Sequence, residues 1–520
     1  MDSLYHIKNF GCRAARADGE AVGDALRTAG WTEAATPNAD VVVVNTCSVT
    51  AEADREARAF IRRAHRLNPK AKILVTGCYA QRAPEELAAM DGVSAVVGNS
   101  HKGLAPEIIL SLGGAASLRD SADGSHPSGY AGEPSTAQEA SFLSVASVLA
   151  ASAGKTAVWV DDQFAHSFLE EAQLAPGAQT RPNLKIQEGC GNRCTFCVIP
   201  QTRGGSKSLA AVSVLKQVEG FVAAGGKELV LSGINLGRWG RDLAKSAGTA
   251  QQDGVLALPP FPQKDAERMG HRTVGAALQR PSLAGLVREI FARTELARLR
   301  LSSIEPMDWD AEMIGLLAEF GNPATGKARL ARHAHLPLQS GSDGVLRRMH
   351  RRYRPWHYVE KVEALRKAAG AELTVGADVM VGFPGETDTE FEETVELIRA
   401  LPFGYLHLFP FSPRPGTPGW TMHLERPVRP AVVEERMKAL RALAAEKSQL
   451  HLSRMVGKDL EAITLHTPQE VATRRCTTAL TENFIPLELQ GNFPANRLLR
   501  VQGTGLTADG TLRAVSSSTP

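Results

Sequence analysis

The sequence predicts an α/β protein in three parts: an N-terminal open parallel α/β domain, a central partial TIM-like (βα)6 barrel, and a small C-terminal β-barrel. Three observations lead there. In residues 1–110 the strand-like runs YHIKNF, VVVVNT, KILVTG and SAVV alternate with the helix-like runs GEAVGDALRTAG, AEADREARAFIRRAHRL and APEELAAM. Parallel strands need crossover connections, so this alternation reads as a parallel sheet. The alternation resumes from residue 183 to about 422 with LKIQ, ELVLSG, RLRLSS, AHLPLQ, LTVGADVMVG and GYLHLFPF. Chemistry in barrels of this kind gathers at the carboxyl ends of the strands. Finally, GKDLEAITL, ATRRCTTALT, IPLELQ, LLRVQGTGL and TLRAV read as short strands of a small β-barrel.

The boundaries follow from composition. Residues 1–110 form the first domain. Residues 111–182 are rich in Ala, Ser and Gly, with little hydrophobic periodicity, and read as a linker or insertion; mixed helical character at 138–173 reads as a spacer. The barrel spans 183–428, interrupted at about 243–282 by AKSAGTAQQDGVLALPPFPQKDAERMG, a Pro- and Gly-bearing surface insertion. Residues 429–456 form a charged connecting helix, and 457–515 the last domain. A chain of 520 residues is too long for one core. Its net charge of +3 is nearly balanced, so any nucleic-acid surface must be a local patch. No signal-peptide pattern opens the chain, and no run approaches the roughly 20 apolar residues of a membrane span. The expectation is a soluble cytoplasmic protein in which seven cysteines serve metal ligation before disulfides.

Three of those cysteines, Cys190, Cys194 and Cys197, stand in a C-x3-C-x2-C pattern just after the strand LKIQ. Soft thiolates favour an iron–sulfur cluster or zinc. A closed zinc site takes four ligands, yet no further cysteine follows before Cys476. One metal therefore lacks a protein thiolate, and an open iron on a [4Fe–4S] cluster is able to chelate a small substrate. The other three, Cys12, Cys47 and Cys78, each lie just past the carboxyl end of an expected strand. In an open parallel sheet those ends share one edge, where ligand crevices form. The alternative, three small packed hydrophobes, is common for one strand but not for three in succession. The expectation is a second three-thiolate site.

Two three-cysteine sites, together with NFGC, NTCSVT, TGCYAQ, KIQEGCGNRCTFCVIPQTRG, LSGINLG, SSIEP, HLPLQSGS, DVMVGFPGET and FPFSPRPGTP, resemble the methylthiotransferase family of radical S-adenosylmethionine (SAM) enzymes. The resemblance covers residues 1–110 and roughly 183–515, and it implies two [4Fe–4S] clusters and SAM. Cys190, Cys194 and Cys197 would hold the cluster that binds and cleaves SAM. Cys12, Cys47 and Cys78 would hold an auxiliary cluster whose open iron carries sulfur for transfer to C2 of a modified adenine in the tRNA anticodon loop. NTCSVTAEADREARAFIRRAHRLNP with TGCYAQ looks most like the MtaB branch, which modifies N6-threonylcarbamoyladenosine. The MiaB branch (N6-isopentenyladenosine) and the RimO branch (a ribosomal-protein aspartate) share the catalytic motifs. The segment after Cys12, ARADGEAV, departs from the Asn-containing turn usual in the family. An iron–sulfur electron-transfer protein is the alternative of a different class. A reducing electron donor is implied as a partner, no membrane is, and a monomer is expected; the sulfur source is left open.

The resemblance also implies SAM contacts at strand ends: Ser232 and Gly233 for the methionine carboxylate, Glu305 or Gln339 with Ser340 for ribose or ammonium, and Phe196 for the adenine. The run RRMHRRYRP packs five arginines, a histidine and a tyrosine into nine residues. Arg347, Arg348, Arg351, Arg352 and Tyr353 are read as an RNA surface, with Arg203 and Arg414 at the same mouth. The C-terminal strands resemble the TRAM domain, an RNA-binding barrel. Cys476 is read as a packed thiol.

Overall fold

The computed structural model describes residues 3–48, 50–113, 156–164, 180–243, 281–323 and 328–517. Six strands form the N-terminal sheet: β1 (Leu4–Asn9), β2 (Thr32–Glu33), β3 (Val41–Thr46), β4 (Lys72–Gly77), β5 (Val93–Gly98) and β6 (Ala157–Trp159). Their order is β2-β1-β3-β4-β5-β6, and every pairing is parallel. The strand β3 is buried along its whole length. Its four consecutive valines suit a strand covered on both faces. One core holds Val41, Val43 and Leu74, and the opposite face holds Val42, Val44, Ile73 and Val75.

The strand β6 falls inside the stretch 111–182 that the sequence presents as a linker, and corrects that expectation. A three-residue AVW run is too short to show a period, yet it closes the sheet edge beside β5. The remainder of that linker, 114–155 and 165–179, lies outside the described residues, as does 244–280 of the second insertion.

The central domain comprises β7 (Asn183–Glu188), β8 (Lys207–Ser208), β9 (Glu228–Gly233), β10 (Arg298–Leu301), β11 (His333–His335), β12 (Thr374–Val381) and β13 (Phe403–Pro410). All six expected strands are present; only the short β8, antiparallel to β7, is additional. Two arcs, β10-β9-β7-β8 and β11-β12-β13, are joined by a parallel bridge between Leu299 and Leu330. The result is an open, partial barrel with its parallel strands in chain order. Helices cover the outside. Leu283–Arg293, for example, buries Leu283, Leu286, Val287 and Ile290 at helical spacing under a Ser282 cap.

Helix Pro430–Ser453 leads to a closed five-stranded barrel of β14 (Asp459–Thr464), β15 (Cys476–Thr481), β16 (Pro486–Gln490), β17 (Leu498–Leu506) and β18 (Leu512–Ser516). It docks through buried arginines of the central domain. Arg300 reaches the carbonyls of Thr481 and Glu482, while Arg298 pairs with Glu228 and Glu461, and Arg332 with Glu482. Among the described residues, no helix is long and apolar enough to cross a membrane.

Candidate active site at the strand ends of two sheets

In the N-terminal sheet, β1, β3 and β4 are neighbours, and the register Asn9↔Asn45 and Asn45↔Thr76 brings their ends level. Cys12, Cys47 and Cys78 follow those ends. With strands about 4.8 Å apart, the strand ends that carry the three cysteines lie within roughly 10 Å of one another. Gly11 makes the close approach possible: its φ of +93° favours glycine, and a Cβ there would overlap the Cys47 side chain. Cys78 Sγ accepts hydrogen bonds from Asn99 Nδ2 at 3.4 Å and Arg203 Nε at 3.3 Å.

The second triad lies on the loop after β7. Cys190 Sγ accepts from the Asn192 backbone N–H at 3.4 Å and from Asn235 Nδ2 at 3.5 Å. Cys194 Sγ accepts from Arg351 Nη1 at 3.2 Å. N–H groups aimed at sulfur favour thiolate over thiol. Burial outweighs them at Cys190 and Cys197, raising both thiols, that of Cys197 to about 12, so metal loading must displace protons there. Thr195 fastens the loop to the segment that carries Arg351, its N–H reaching the Met349 carbonyl at 3.2 Å and its hydroxyl the Arg348 carbonyl at 3.0 Å.

Between the triads sits a buried knot of five charges. Asp18 and Glu188 face Lys102, Lys185 and Arg203, and none is more than 8% exposed. Lys102 lies 2.9 Å from Asp18 and 3.0 Å from Glu188, and Arg203 lies 3.0 Å from Asp18. Burial alone would raise the Glu188 carboxyl. The attraction of Lys102, Lys185 and Arg203 outweighs it and holds the group well below its ordinary value. Three cations against two carboxylates leave one positive charge over. Arg203 carries that excess toward the N-terminal triad, where its Nε meets Cys78 Sγ.

A cavity of about 530 Å³, mostly apolar, opens between the domains, and both triads reach it: Cys12 from one side, Cys197 from the other. Phe196, Ser232, Gly233 and Gln339 line it too. So do Arg13, His335, Asp378, Tyr405 and His407. Among the described residues, two buried polar atoms on its wall lack a hydrogen-bond partner, namely Gln339 Oε1 and Ser302 Oγ. Such orphans suit a polar ligand seated against them. Asp378 lies 3.5 Å from His335 and 3.3 Å from His407.

Several expected contacts are redirected. Ser340 is fully buried, its hydroxyl 3.1 Å from Thr394 Oγ1, and therefore turned away from the cavity. Glu305 does not line the cavity but pairs with Arg351 beside Cys194. Tyr353 offers no stacking face: it is fully buried, with its hydroxyl 2.7 Å from the Pro337 carbonyl. Arg203 and Arg351 are buried in ion pairs, Arg348 is held by Glu390, and Arg414 is buried against Asp54. Of the basic set only Arg347 and Arg352 stay substantially exposed, their side chains at 62% and 46%. Cys476 is half-buried on β15. Arg13, His335, Asp378 and His407 also line the cavity although no sequence motif marks them. The last three are polar residues at strand positions otherwise filled by apolar ones, which was the available signal.

Residues 4–98 match the uncharacterized protein family UPF0004, and residues 259–398 match the Radical SAM superfamily. The second span begins beyond the Cys190–Cys197 loop. Over 485 residues the chain is 33% identical to the threonylcarbamoyladenosine tRNA methylthiotransferase MtaB of Bacillus subtilis, covering 93% of this chain and 89% of that protein. The chain belongs to the radical SAM methylthiotransferases. This methylthiotransferase is also 31% identical over 468 residues to the tRNA-2-methylthio-N(6)-dimethylallyladenosine synthase of Erythrobacter litoralis, covering 89% of this chain and 86% of that one. Among solved structures, the radical SAM methyltransferase TsrM of Kitasatospora setae aligns with a TM-score of 0.47 at 14% identity, over 78% of this chain and 73% of that chain. A radical SAM methylthiotransferase takes a [4Fe–4S] cluster and SAM. The three-thiol loop with its N–H donors fits the first, and the orphaned polar atoms of the cavity fit the second.

Proposed function

We propose that this methylthiotransferase adds a methylthio group to C2 of N6-threonylcarbamoyladenosine at position 37 of tRNA, as a cytoplasmic monomer served by an external one-electron donor. The observation that carries this reading is the single cavity reached by both Cys12 and Cys197. Cys190, Cys194 and Cys197 hold the SAM-binding cluster, and Cys12, Cys47 and Cys78 hold a second [4Fe–4S] cluster. When bound, these groups supply a carbon-centred radical able to take hydrogen from C2, and the sulfur that replaces it.

The chain's own residues position and shield. Ser232 and Gly233, at the end of β9, let the methionine end of SAM approach the backbone closely. Gln339 Oε1 accepts from a SAM ammonium or hydroxyl, and Phe196 shapes the adenine pocket. Tyr405, Phe409 and Phe411 offer faces for a base drawn out of the anticodon stack, and they exclude water. Outside the cavity, Arg347, Arg352 and the C-terminal barrel meet the RNA backbone. The comparable identity to a dimethylallyladenosine synthase favours a second reading, with N6-dimethylallyladenosine as the substrate.

Mass spectrometry of tRNA nucleosides from a strain lacking this enzyme, with and without its restored gene, separates the two. Restoration of 2-methylthio-N6-threonylcarbamoyladenosine is expected; restoration of the dimethylallyl product alone would overturn the substrate assignment. Cys194→Ala should abolish SAM cleavage. Cys47→Ala should spare cleavage and stop methylthiolation, and product from that variant would remove the second cluster from the reaction.

A further inference from the structure

We infer that Arg13 reads the substrate's carboxylate and is the residue by which this enzyme selects a threonylcarbamoyl over an uncharged N6 substituent. The inference deepens the proposed function and rests on it. N6-threonylcarbamoyladenosine carries one carboxylate on its N6 arm, whereas a dimethylallyl arm carries no charge. A site that prefers the first needs a cation within reach of N6.

The charges around the cavity narrow the choice. His335 and His407 both face Asp378, and His333 is buried with its Nε2 2.8 Å from the Tyr405 hydroxyl. Arg203 and Arg351 are buried in ion pairs. Arg13 differs: it is exposed and lines the cavity, and no carboxylate of the described residues forms an ion pair with it. Its guanidinium stands 5.9 Å from the Phe484 ring. A permanently charged fork without a counter-ion, beside a mostly apolar cavity, is half of a bidentate carboxylate pair.

Position supports the same assignment. In adenine, C2 and C6 are separated by N1 alone, so the N6 arm lies close to the carbon that receives sulfur. The residue that reads the arm should therefore stand beside the auxiliary cysteines, and Arg13 directly follows Cys12.

The test uses the full-length enzyme with both clusters reconstituted and three anticodon stem-loop RNAs. One carries N6-threonylcarbamoyladenosine, the second its neutral methyl ester, and the third N6-dimethylallyladenosine. The wild type should prefer the acid over the ester by about 10- to 100-fold in kcat/KM, the range of a charge-assisted hydrogen-bonded pair. Arg13→Gln should erase that preference by slowing the acid alone, with iron content and the KM for SAM unchanged. Arg13→Lys should recover part of it, as a point charge without the fork. A wild type that treats acid and ester alike overturns the inference without any variant. Equal slowing on acid and ester by Arg13→Gln, or a raised KM for SAM, overturns it as well. Turnover of the dimethylallyl RNA with neither threonylcarbamoyl form would instead remove the substrate reading on which the inference rests.

Discussion

Arg351 is a single side chain on which much of the SAM-binding loop depends. Buried beside the half-buried Glu305, it donates to Cys194 Sγ and, at 2.7 Å, to the Glu305 carboxylate. Removing one partner of a buried pair costs about 3–5 kcal/mol, because the other charge is left uncompensated. Arg351→Gln should lower the urea midpoint accordingly and reduce the iron bound by the Cys190–Cys197 loop. Arg351→Met combined with Glu305→Leu should regain part of the stability but not the iron. The same arginine shows where reading a sequence reaches its limit. Three cysteines within eight residues are a local pattern and declare themselves. The run RRMHRRYRP declares only its charge, since a charge count carries no direction. Arg351 and Tyr353 turn inward while Arg347 and Arg352 turn out, because the partners that turn them, Glu305 and the Pro337 carbonyl, come from distant strand ends.

Elements were legible to the degree that they were long. β3, β4, β9, β12 and β13 carry apolar runs that announce strands, whereas β2, β6 and β8 have two or three residues each and no period to detect. The Gln339–Ser340 pair shows the same limit on a finer scale. Gln339, with its φ at +63°, meets the cavity, while its neighbour Ser340 meets Thr394. The turn from β1 into helix Arg13–Thr28 yields a sharper expectation. Gly11 crosses directly over Cys47, where a methyl group would collide with the side chain. Gly11→Ala should displace Cys12 from Cys47, lowering iron from about eight to about four per chain. SAM cleavage should persist, because the C-x3-C-x2-C loop is untouched. Iron analysis with a cleavage assay on the purified variant checks both halves of that expectation.

Across the whole molecule, the charge knot joins the two sheets. Asp18 and Lys102 come from the N-terminal domain; Lys185, Glu188 and Arg203 come from the central one. Burial raises both carboxyls, but the cations overcome it and hold Asp18 and Glu188 below their ordinary values. Burial likewise lowers Lys185, but Asp18 and Glu188 overcome it and raise that amine. The carboxylates therefore stabilise the fold fully above their unfolded values, near pH 4, and lose that contribution as acid carries the pH down through the folded ones. The lysine contributes fully below about pH 10.4 and loses its share as the pH rises through its folded value. The knot's own contribution to stability should thus be level between about pH 5 and pH 10. Asp18→Asn should lower stability at neutral pH by about 3–5 kcal/mol and remove the knot's share of the acid-side loss, read from urea midpoints across pH. No sequence pattern announces this knot, because its members lie up to 185 residues apart.

The contact between Arg203 and Cys78 bears on how such enzymes can be recombined. Arg203 closes the helix that begins just after the C-x3-C-x2-C loop, yet it donates to a sulfur rooted in the other domain. A chimera that exchanges the N-terminal third for a relative's would sever that tie unless Asp18, Lys102 and their three partners travelled as one inherited set. The two halves are better regarded as a matched lock and key than as interchangeable modules.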